Sequence, residues 1–249
     1  MSTVLVIAGT DPGGGAGLVR DIATLTRLGV AARCAVTAVT AQTDAELSHL
    51  HALPSQLVRA QLAAALAGAP VAAVKIGMLA NAEIVECVAE ALALHPLLPV
   101  VLDPVLAASS GAALLDARGL EVLRARLLPR ALLLTPNLVE AAVLLDEAPA
   151  ADEVGALAQA HRLLACGAQA VLLKGGHAAG AQATDLLVRA GAADERLAGP
   201  RIAATLRGTG CALASAIAAH LARGGSLLQA CRDAKAYVSA LLQEAATPR

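Results

Sequence analysis

The chain has 249 residues, of which 57% are hydrophobic, and a formal net charge of −1. The balanced charge, without a basic run, argues against a nucleic-acid-binding surface, and no uncharged apolar run reaches the ~18 residues that a membrane span needs. Five scattered cysteines without a Cys-x-x-Cys pair indicate a reducing cytoplasm and argue against a disulfide framework or a zinc site.

Predicted strands and helices alternate along the chain. Apolar runs predict strands over 3–8, 31–41, 71–77, 99–104, 131–135 and 170–176. Helical spacing predicts helices over 16–29, 54–68, 81–94, 116–127, 136–145 and 153–167, followed by a β-hairpin over 184–204 and two closing helices. This order predicts a single α/β domain over residues 1–249 with a mostly parallel sheet, whose ligands sit beyond the carboxyl ends of the strands.

The first loop, "AGTDPGGGAG" over 8–17, follows a strand and precedes a helix. It lacks the Gly-x-Gly-x-x-Gly spacing of dinucleotide-binding proteins, which argues against a dehydrogenase, and the chain has no Gly-Lys-Ser/Thr of a Walker loop. The glycines fit either a flexible turn or a loop that lets a small substrate approach the backbone closely.

A second motif, "TPNLVE" over 135–140, is typical of a helix start. Thr135 fits the N-cap and Pro136 the first turn. Asn137 and Glu140 then lie three residues apart on one face of that turn, where amide and carboxylate oxygens suit Mg²⁺ held largely through water. A solvated, capping Glu140 is the alternative interpretation.

Two charged residues end predicted strands. Asp103 in "VVLDPV" follows a buried strand, where a bare carboxylate is costly unless it is paired or faces a metal. Lys174 in "LLKGGH" can neutralise a phosphate there or be an ordinary exposed charge.

The stretch "RGTGCALAS" places Gly208, Thr209 and Gly210 before an Ala-rich helix. Their N–H groups and that of Cys211 can bind an anion with help from the helix dipole, and a thiol in this first turn is expected to have a lowered pKa. The simplest anion is a phosphoryl group in transfer, with Cys211 beside the nucleophilic hydroxyl as base or positioning group. A buried cysteine after an ordinary glycine turn is the alternative.

Seven segments in order, from residue 4 to about 223, carry a family resemblance: "IAGTDPGGGAG", "TAQT", "KIGML", "LDPV…SG", "TPNLVEA", "LLKGGH" and "GTGCALASAIA". They resemble the hydroxymethylpyrimidine/phosphomethylpyrimidine kinases of thiamine biosynthesis, a branch of the ribokinase-like superfamily. The resemblance implies a three-layer α/β/α fold with a central, mostly parallel sheet, and usually a homodimer. It also implies phosphorylation of 4-amino-5-hydroxymethyl-2-methylpyrimidine and its monophosphate with ATP and Mg²⁺.

The same resemblance implies a role for each site residue. Gln42 would hydrogen-bond the aminopyrimidine ring, in a pocket lined by Ala16, Thr40, Met78 and Val105 with Asp21 close by. Asn137 and Glu140 would order the metal and the phosphates, with Glu140 as metal ligand, while Asp103, Lys174 and His177 would lie near the nucleotide. The turn Gly208-Thr209-Gly210 would be the anion hole, and Cys211 would face the substrate hydroxyl.

Three positions depart from the family pattern. Ser109 stands where Lys is usual, Arg207 where His is usual, and Ala212 where Thr is usual. The substitutions at Ser109 and Ala212 support one alternative function, a pseudo-kinase that binds nucleotide or pyrimidine without turnover. Pyridoxal or pyridoxine kinase activity is the other, because this branch overlaps chemically with the vitamin B6 kinases.

Overall fold

The computed structural model describes residues 1–43, 46–108, 110–175 and 181–247. The strands in these ranges are β1 (Thr3–Thr10), β2 (Ala31–Gln42), β3 (Leu47–Ala52), β4 (Ala73–Ile76), β5 (Val100–Leu102), β6 (Leu133–Leu134), β7 (Ala170–Leu173), β8 (Gln182–Arg189) and β9 (Glu195–Pro200). They form one sheet in the order β3-β2-β1-β4-β5-β6-β7-β8-β9. The strands from β2 to β7 in this order pair in parallel, and β3, β8 and β9 join the two edges in antiparallel fashion.

Helices cover both faces of the sheet. They are α1 (Gly17–Arg27), α2 (Ser55–Ala67), α3 (Ala82–Ala93), α4 (Ala117–Val122), α5 (Leu138–Leu145), α6 (Glu153–Ala165), α7 (Thr209–Ala222) and α8 (Leu227–Ala246). One hydrophobic cluster packs α1, α7 and α8 on one face, and a second packs the other helices on the opposite face. The result is the three-layer α/β/α architecture expected from the alternating pattern.

Helix α7 is the element whose packing matters most for the site. Ala212, Ala214, Ala216 and Ala218 are fully buried, as is Ile217. These small side chains let the helix lie close to the sheet, and its first turn therefore reaches the carboxyl edge of the central strands. No helix in the described ranges is both long enough and apolar enough to cross a membrane.

The predicted strands and helices are all present, but two details differ from the prediction. Strand β3 was not predicted, because this edge strand reads "LSHLHA" and leaves Ser48, His49 and His51 exposed instead of forming an apolar run. The helix predicted over 116–127 is α4 followed by a π-helical turn over Leu123–Leu127.

Candidate active site

A cavity of about 1790 Å³ opens at the carboxyl ends of the parallel strands. It lies beside the first turns of α5 and α7, so it collects the side chains that follow the strands. The predicted site residues that line it are Ala16, Thr40, Gln42, Met78, Asp103, Val105, Asn137, Glu140, Lys174, Gly208, Thr209, Gly210 and Cys211. His177 and Ser109 fall outside the described residues.

Asp11 organises the glycine-rich loop at one end of the cavity. Its carboxylate is 2% exposed and accepts hydrogen bonds from the N–H groups of Gly13, at 3.0 Å, and Ala16, at 2.9 Å. Arg207 approaches the same carboxylate at 3.3 Å. The buried Asp11 side chain therefore holds the glycine-rich loop in place. The sequence analysis did not predict this role for Asp11.

The first turn of α7 meets this loop through glycine. Gly208 has a φ of +73°, and a Cβ atom there would lie 2.2 Å from the carbonyl oxygen of Gly15. The first intrahelical bond runs from the N–H of Ala212 to the carbonyl of Gly208. Within the described residues the N–H groups of Thr209, Gly210 and Cys211 meet no protein acceptor, so they are available to an anion.

Cys211 lies in the wall of the cavity and is 9% exposed. Burial raises the pKa of its thiol to about 11, although nearby Lys75 and the N–H of Gly17 favour the thiolate. The expectation of a lowered pKa from the helix start is therefore wrong. Loss of water around the thiolate outweighs the attraction of Lys75 and the hydrogen bond from the N–H of Gly17.

Asp103 and Lys174 form an ion pair in the floor of the cavity. The Lys174 ammonium lies 2.9 Å from Asp103 Oδ1 and 3.6 Å from Glu140 Oε2. Burial alone would raise the pKa of Asp103, but Lys174 and Lys75 together hold it below its ordinary value. Burial would likewise lower the pKa of Lys174, yet the two carboxylates raise it. Lys174 is thus an enclosed cation with acidic partners, and the interpretation as an exposed strand-end charge is wrong.

Asn137, and not Thr135, caps helix α5. The Asn137 side chain accepts a hydrogen bond from the N–H of Glu140, and the Glu140 carboxylate accepts one from the N–H of Asn137, both at 2.8 Å. Thr135 instead directly follows β6 and is fully buried, and its hydroxyl donates to Asp103 Oδ1 at 3.2 Å. The prediction of a Thr135 N-cap is therefore wrong, because its hydroxyl is used by the buried carboxylate.

Glu140 combines capping with a position on the cavity. Its side chain is 13% exposed, and burial raises its pKa while Lys174 opposes this. The described residues contain no group of three or more His, Cys, Asp or Glu that could enclose a metal ion. This donor set fits Mg²⁺ held by one carboxylate together with phosphates and water, which is how proteins usually hold this ion beside a nucleotide.

The end of the cavity beside β2 is mostly apolar. Met78 packs so closely on the backbone that a Cβ atom at Gly9 would lie 2.1 Å from its methyl group. Thr40 is nearly buried and donates its hydroxyl to the carbonyl of Thr10 at 2.8 Å. Gln42, the last residue of β2, is half-buried, and no described residue is hydrogen-bonded to its side-chain amide. One uncommitted amide in an apolar pocket is typical of a site that orients a small heterocycle.

Asp21 does not line the cavity, so its placement in the substrate pocket needs correction. It is fully buried between α1 and α7, where it accepts hydrogen bonds from Lys75 Nζ and the Ser215 hydroxyl, both at 2.8 Å. Lys75, which does contribute to the cavity, was not predicted as a site residue. The signal for it was a lysine inside the apolar strand "VAAVKIG", where an unpaired charge is costly.

Comparison with known proteins places this geometry in one family. The family model described as phosphomethylpyrimidine kinase matches residues 11–249. The hydroxymethylpyrimidine/phosphomethylpyrimidine kinase of Salmonella typhimurium is 44% identical over 245 residues, which cover 98% of this chain and 91% of that protein.

Two solved structures share the fold across almost the whole chain. The phosphomethylpyrimidine kinase of Clostridium difficile is 30% identical with a TM-score of 0.85, covering 97% of this chain and 100% of that one. A pyridoxal kinase from Staphylococcus aureus, solved in complex with pyridoxal, is 30% identical with a TM-score of 0.89, covering 98% of this chain and 88% of that one.

Proposed function

The chain belongs to the phosphomethylpyrimidine kinase family, and we propose that it transfers a phosphoryl group from ATP to 4-amino-5-hydroxymethyl-2-methylpyrimidine and then to its monophosphate, in thiamine biosynthesis. The observation that carries this proposal is that one cavity combines an end suited to a heterocycle with an end suited to a phosphoryl group. One end offers the Gln42 amide in an apolar pocket. The other offers Cys211 and the first N–H groups of α7, which meet no acceptor within the described part of the chain.

At the substrate end, Gln42 suits an aminopyrimidine. An amide group presents a donor and an acceptor side by side, and an aminopyrimidine presents the complementary pair on its amino group and adjacent ring nitrogen. Met78 and Val105 supply apolar walls for the ring faces in a chain that has one Tyr and no Phe or Trp. With the ring oriented this way, the hydroxymethyl group is directed to Cys211.

At the phosphate end, the protein supplies charge stabilisation and positioning. The N–H groups of Thr209, Gly210 and Cys211 bind the phosphoryl group in transfer, and Cys211 holds the hydroxyl that attacks it. Lys174 provides a cation whose carboxylate partners share it with incoming phosphates. Glu140, with Asn137 fixed beside it, would hold Mg²⁺. When bound, Mg²⁺ neutralises charge on the nucleotide phosphates.

The two alternative functions receive different support. Ala212, one of the departures behind the pseudo-kinase alternative, is fully buried and does not line the cavity, so its missing hydroxyl removes nothing from the cavity wall. Pyridoxal kinase activity remains the second candidate, because a pyridoxal-bound kinase shares this fold at a TM-score of 0.89.

We also propose a domain organisation, a cellular location and an oligomeric state for the enzyme. One sheet built from residues 3–200, with α8 packed back on α7, supports a single kinase domain over residues 1–249. Free cysteines support a reducing cytoplasmic location. A homodimer is expected from the family resemblance alone.

Mass spectrometry of reaction products tests the function directly. Purified protein with ATP and Mg²⁺ is incubated in parallel with the hydroxymethylpyrimidine, pyridoxine and pyridoxal. Sequential appearance of the pyrimidine mono- and diphosphate supports the proposal. Phosphate on the B6 vitamers alone would replace it with the second candidate, and binding of the pyrimidine without any product would leave the pseudo-kinase.

A further inference from the structure

A buried charge network lies on the face of α7 that carries Cys211. Lys75 on β4 donates to Asp21 on α1 at 2.8 Å, and Asp21 in turn accepts from the hydroxyl of Ser215 on α7 at 2.8 Å. All three side chains are fully buried. Ser215 lies four residues after Cys211, so both side chains are on the same face of α7. The network therefore runs along the helix face that carries the thiol.

The fold makes room for the Lys75 ammonium at this place. A Cβ atom at Gly77, the residue directly after β4, would lie 2.9 Å from Lys75 Nζ, so the ammonium would have to shift if a side chain stood there. Lys75 and Cys211 both contribute to the cavity wall. The ammonium has three N–H groups, and within the described residues its one hydrogen-bond acceptor is Asp21. Two of its N–H groups therefore have no acceptor among the described side chains and backbone.

The charges around the thiol come from several elements. Lys75 on β4 and the N–H of Gly17 favour its ionised form, while Asp21 on α1 and Asp103 after β5 oppose it. Lys174 after β7 is a second cation that interacts with the thiol, and its ammonium lies beside Gly210, where an added Cβ atom would be 3.2 Å away. Burial raises the pKa of Cys211, and among the opposing influences that of Lys75 is the largest. Lys75 itself is held in its charged form, because Asp21, Cys211 and Asp103 raise its pKa against the effect of burial.

We propose that Lys75, fixed by Asp21, is a positioning residue that supplies the counter-charge for a Cys211 thiolate during phosphoryl transfer. The inference rests on the proposed function, in which the substrate hydroxyl lies at Cys211. As the hydroxyl oxygen bonds to the γ-phosphorus and the bond to the ADP oxygen breaks, the hydroxyl proton passes to the Cys211 sulfur. The thiolate becomes a thiol, and Lys75 keeps its proton throughout.

This assignment gives the buried pair a purpose beyond stability. A buried ion pair is at best a weak source of stability, because desolvation offsets most of the attraction. An ammonium near a buried thiol nevertheless lowers the cost of forming the thiolate. Asp21 has two effects in this arrangement. It fixes the Lys75 ammonium through a hydrogen bond, but its own negative charge disfavours a thiolate at Cys211.

The test measures the thiol itself and does not depend on turnover. Native protein is alkylated with iodoacetamide across pH 7–10.5, digested with trypsin, and followed by mass spectrometry. Cys211 falls in the peptide 208–223, and Cys231 falls in the peptide 224–232. Cys231 is fully buried on α8 and does not line the cavity, so its alkylation reports unfolding within the same sample.

Opposite shifts are expected for the two charges. Lys75→Met moves the Cys211 alkylation profile to higher pH, with about tenfold slower alkylation at pH 8.5 for each unit of displacement. Asp21→Asn moves the profile to lower pH. The double variant Lys75→Met/Asp21→Asn leaves no lone buried charge, and it should shift upward by less than Lys75→Met alone. Shifts in the same direction for both single variants, or no shift in the folded double variant, would overturn the inference.

Kinetics separate this inference from the proposed function. The limb of the kcat pH profile that reports Cys211 should move upward in Lys75→Met while KM for ATP stays unchanged, which a merely structural lysine would not produce. A chain that shows the opposite alkylation shifts but phosphorylates no pyrimidine would refute the proposed function alone. An active kinase whose Cys211 profile ignores Lys75 would refute this inference alone.

Discussion

Lys174 donates a 2.9 Å hydrogen bond to Asp103 and so joins the ends of β7 and β5, two strands separated in the sheet by β6. The two side chains are only 14% and 2% exposed, so solvent screens the pair weakly. Each charge depends on the other, because an isolated charge at this depth would be costly. The pair keeps the cavity floor close to neutral while placing a cation where phosphates are expected.

The first prediction concerns the strength of this pair. Asp103→Asn and Lys174→Met should each lower the free energy of unfolding by about 3–5 kcal/mol, because each leaves a buried charge without its closest partner. The double variant should lose clearly less than the sum of the two. Urea unfolding of the four proteins at pH 7 gives the coupling energy. Additive losses would mean that the two side chains do not depend on each other.

The coupling should also depend on pH in a defined direction. Lys174 and Lys75 hold the pKa of Asp103 below the ordinary value of about 3.9, so the unfolded chain takes up its proton first. The stabilising contribution is therefore complete above about pH 5 and is lost as the pH falls through the lower pKa of the folded state. Unfolding measured from pH 7 down to pH 3 should show the coupling shrink only at the acid end.

A second prediction separates chemistry from binding at Cys211. Cys211→Ala should reduce kcat by about 10²–10⁴-fold, as expected for loss of a group that handles the proton of the nucleophile. The dissociation constant for ADP, measured by calorimetry, should change little because the N–H groups of the α7 turn remain. Cys166→Ser, at an exposed position, is the matched control. Equal losses of turnover and nucleotide affinity would point to a structural cysteine.

A third prediction uses the two tasks of Glu140. Glu140→Gln keeps a side chain that can complete the capping box with Asn137 but removes the negative charge. It should raise the Mg²⁺ concentration needed for half-maximal activity while leaving the melting temperature nearly unchanged. Glu140→Ala should in addition lose about 1 kcal/mol of stability with the cap. An unaltered Mg²⁺ requirement in Glu140→Gln would remove this residue from the metal site.

Much of the site could be predicted because parallel strands bring their carboxyl ends to one edge. Asp103, Asn137 and Lys174 each follow a strand, and that position alone predicts their meeting in the cavity. Which charged side chains pair with each other was harder to predict from the sequence. Lys75 and Asp21 are 54 residues apart, and no local pattern indicates that one will neutralise the other.

The ionisation of Cys211 illustrates a second limit. The glycine turn and the helix start were readable from the sequence and predicted a lowered pKa. The direction of the pKa shift depends on how completely the surrounding chain excludes water from the thiol. That burial is produced by the packing of α1, β4 and α7, which no local pattern in the sequence reveals. Strand β3 was missed for a related reason, since pairing with β2 holds a polar edge strand that has little local signal.

A fourth prediction addresses recognition of the pyrimidine. Gln42→Ala should raise KM for the hydroxymethylpyrimidine by about tenfold or more, because the hydrogen-bonding partner of a polar ring is lost. Basal ATP hydrolysis should stay the same. Gln229→Ala on the outer surface of α8, where the amide contacts Asp233, provides the control for loss of a glutamine. If the affinity for the pyrimidine is unchanged in Gln42→Ala, Gln42 does not hydrogen-bond the ring.

The last prediction tests the contact between the anion-binding turn and the glycine-rich loop. Gly208→Ala forces an alanine to adopt a positive φ, which is unfavourable for a residue with a side chain. It also places the alanine methyl group 2.2 Å from the carbonyl oxygen of Gly15, so the glycine-rich loop must move. Activity should fall by at least about a hundredfold, in line with displacement of reacting groups by roughly 1 Å.

Gly191→Ala is the matched control for this change. Gly191 has a similar φ of +69°, but nothing lies within 4 Å of the added methyl group. This variant should lose about 1–2 kcal/mol of stability from its backbone conformation alone and keep its kcat. If the two alanine variants lose stability and activity alike, the cost at Gly208 is only conformational. A selective loss of kcat/KM at Gly208 would instead mean that close backbone packing of the turn on the loop positions the reacting groups.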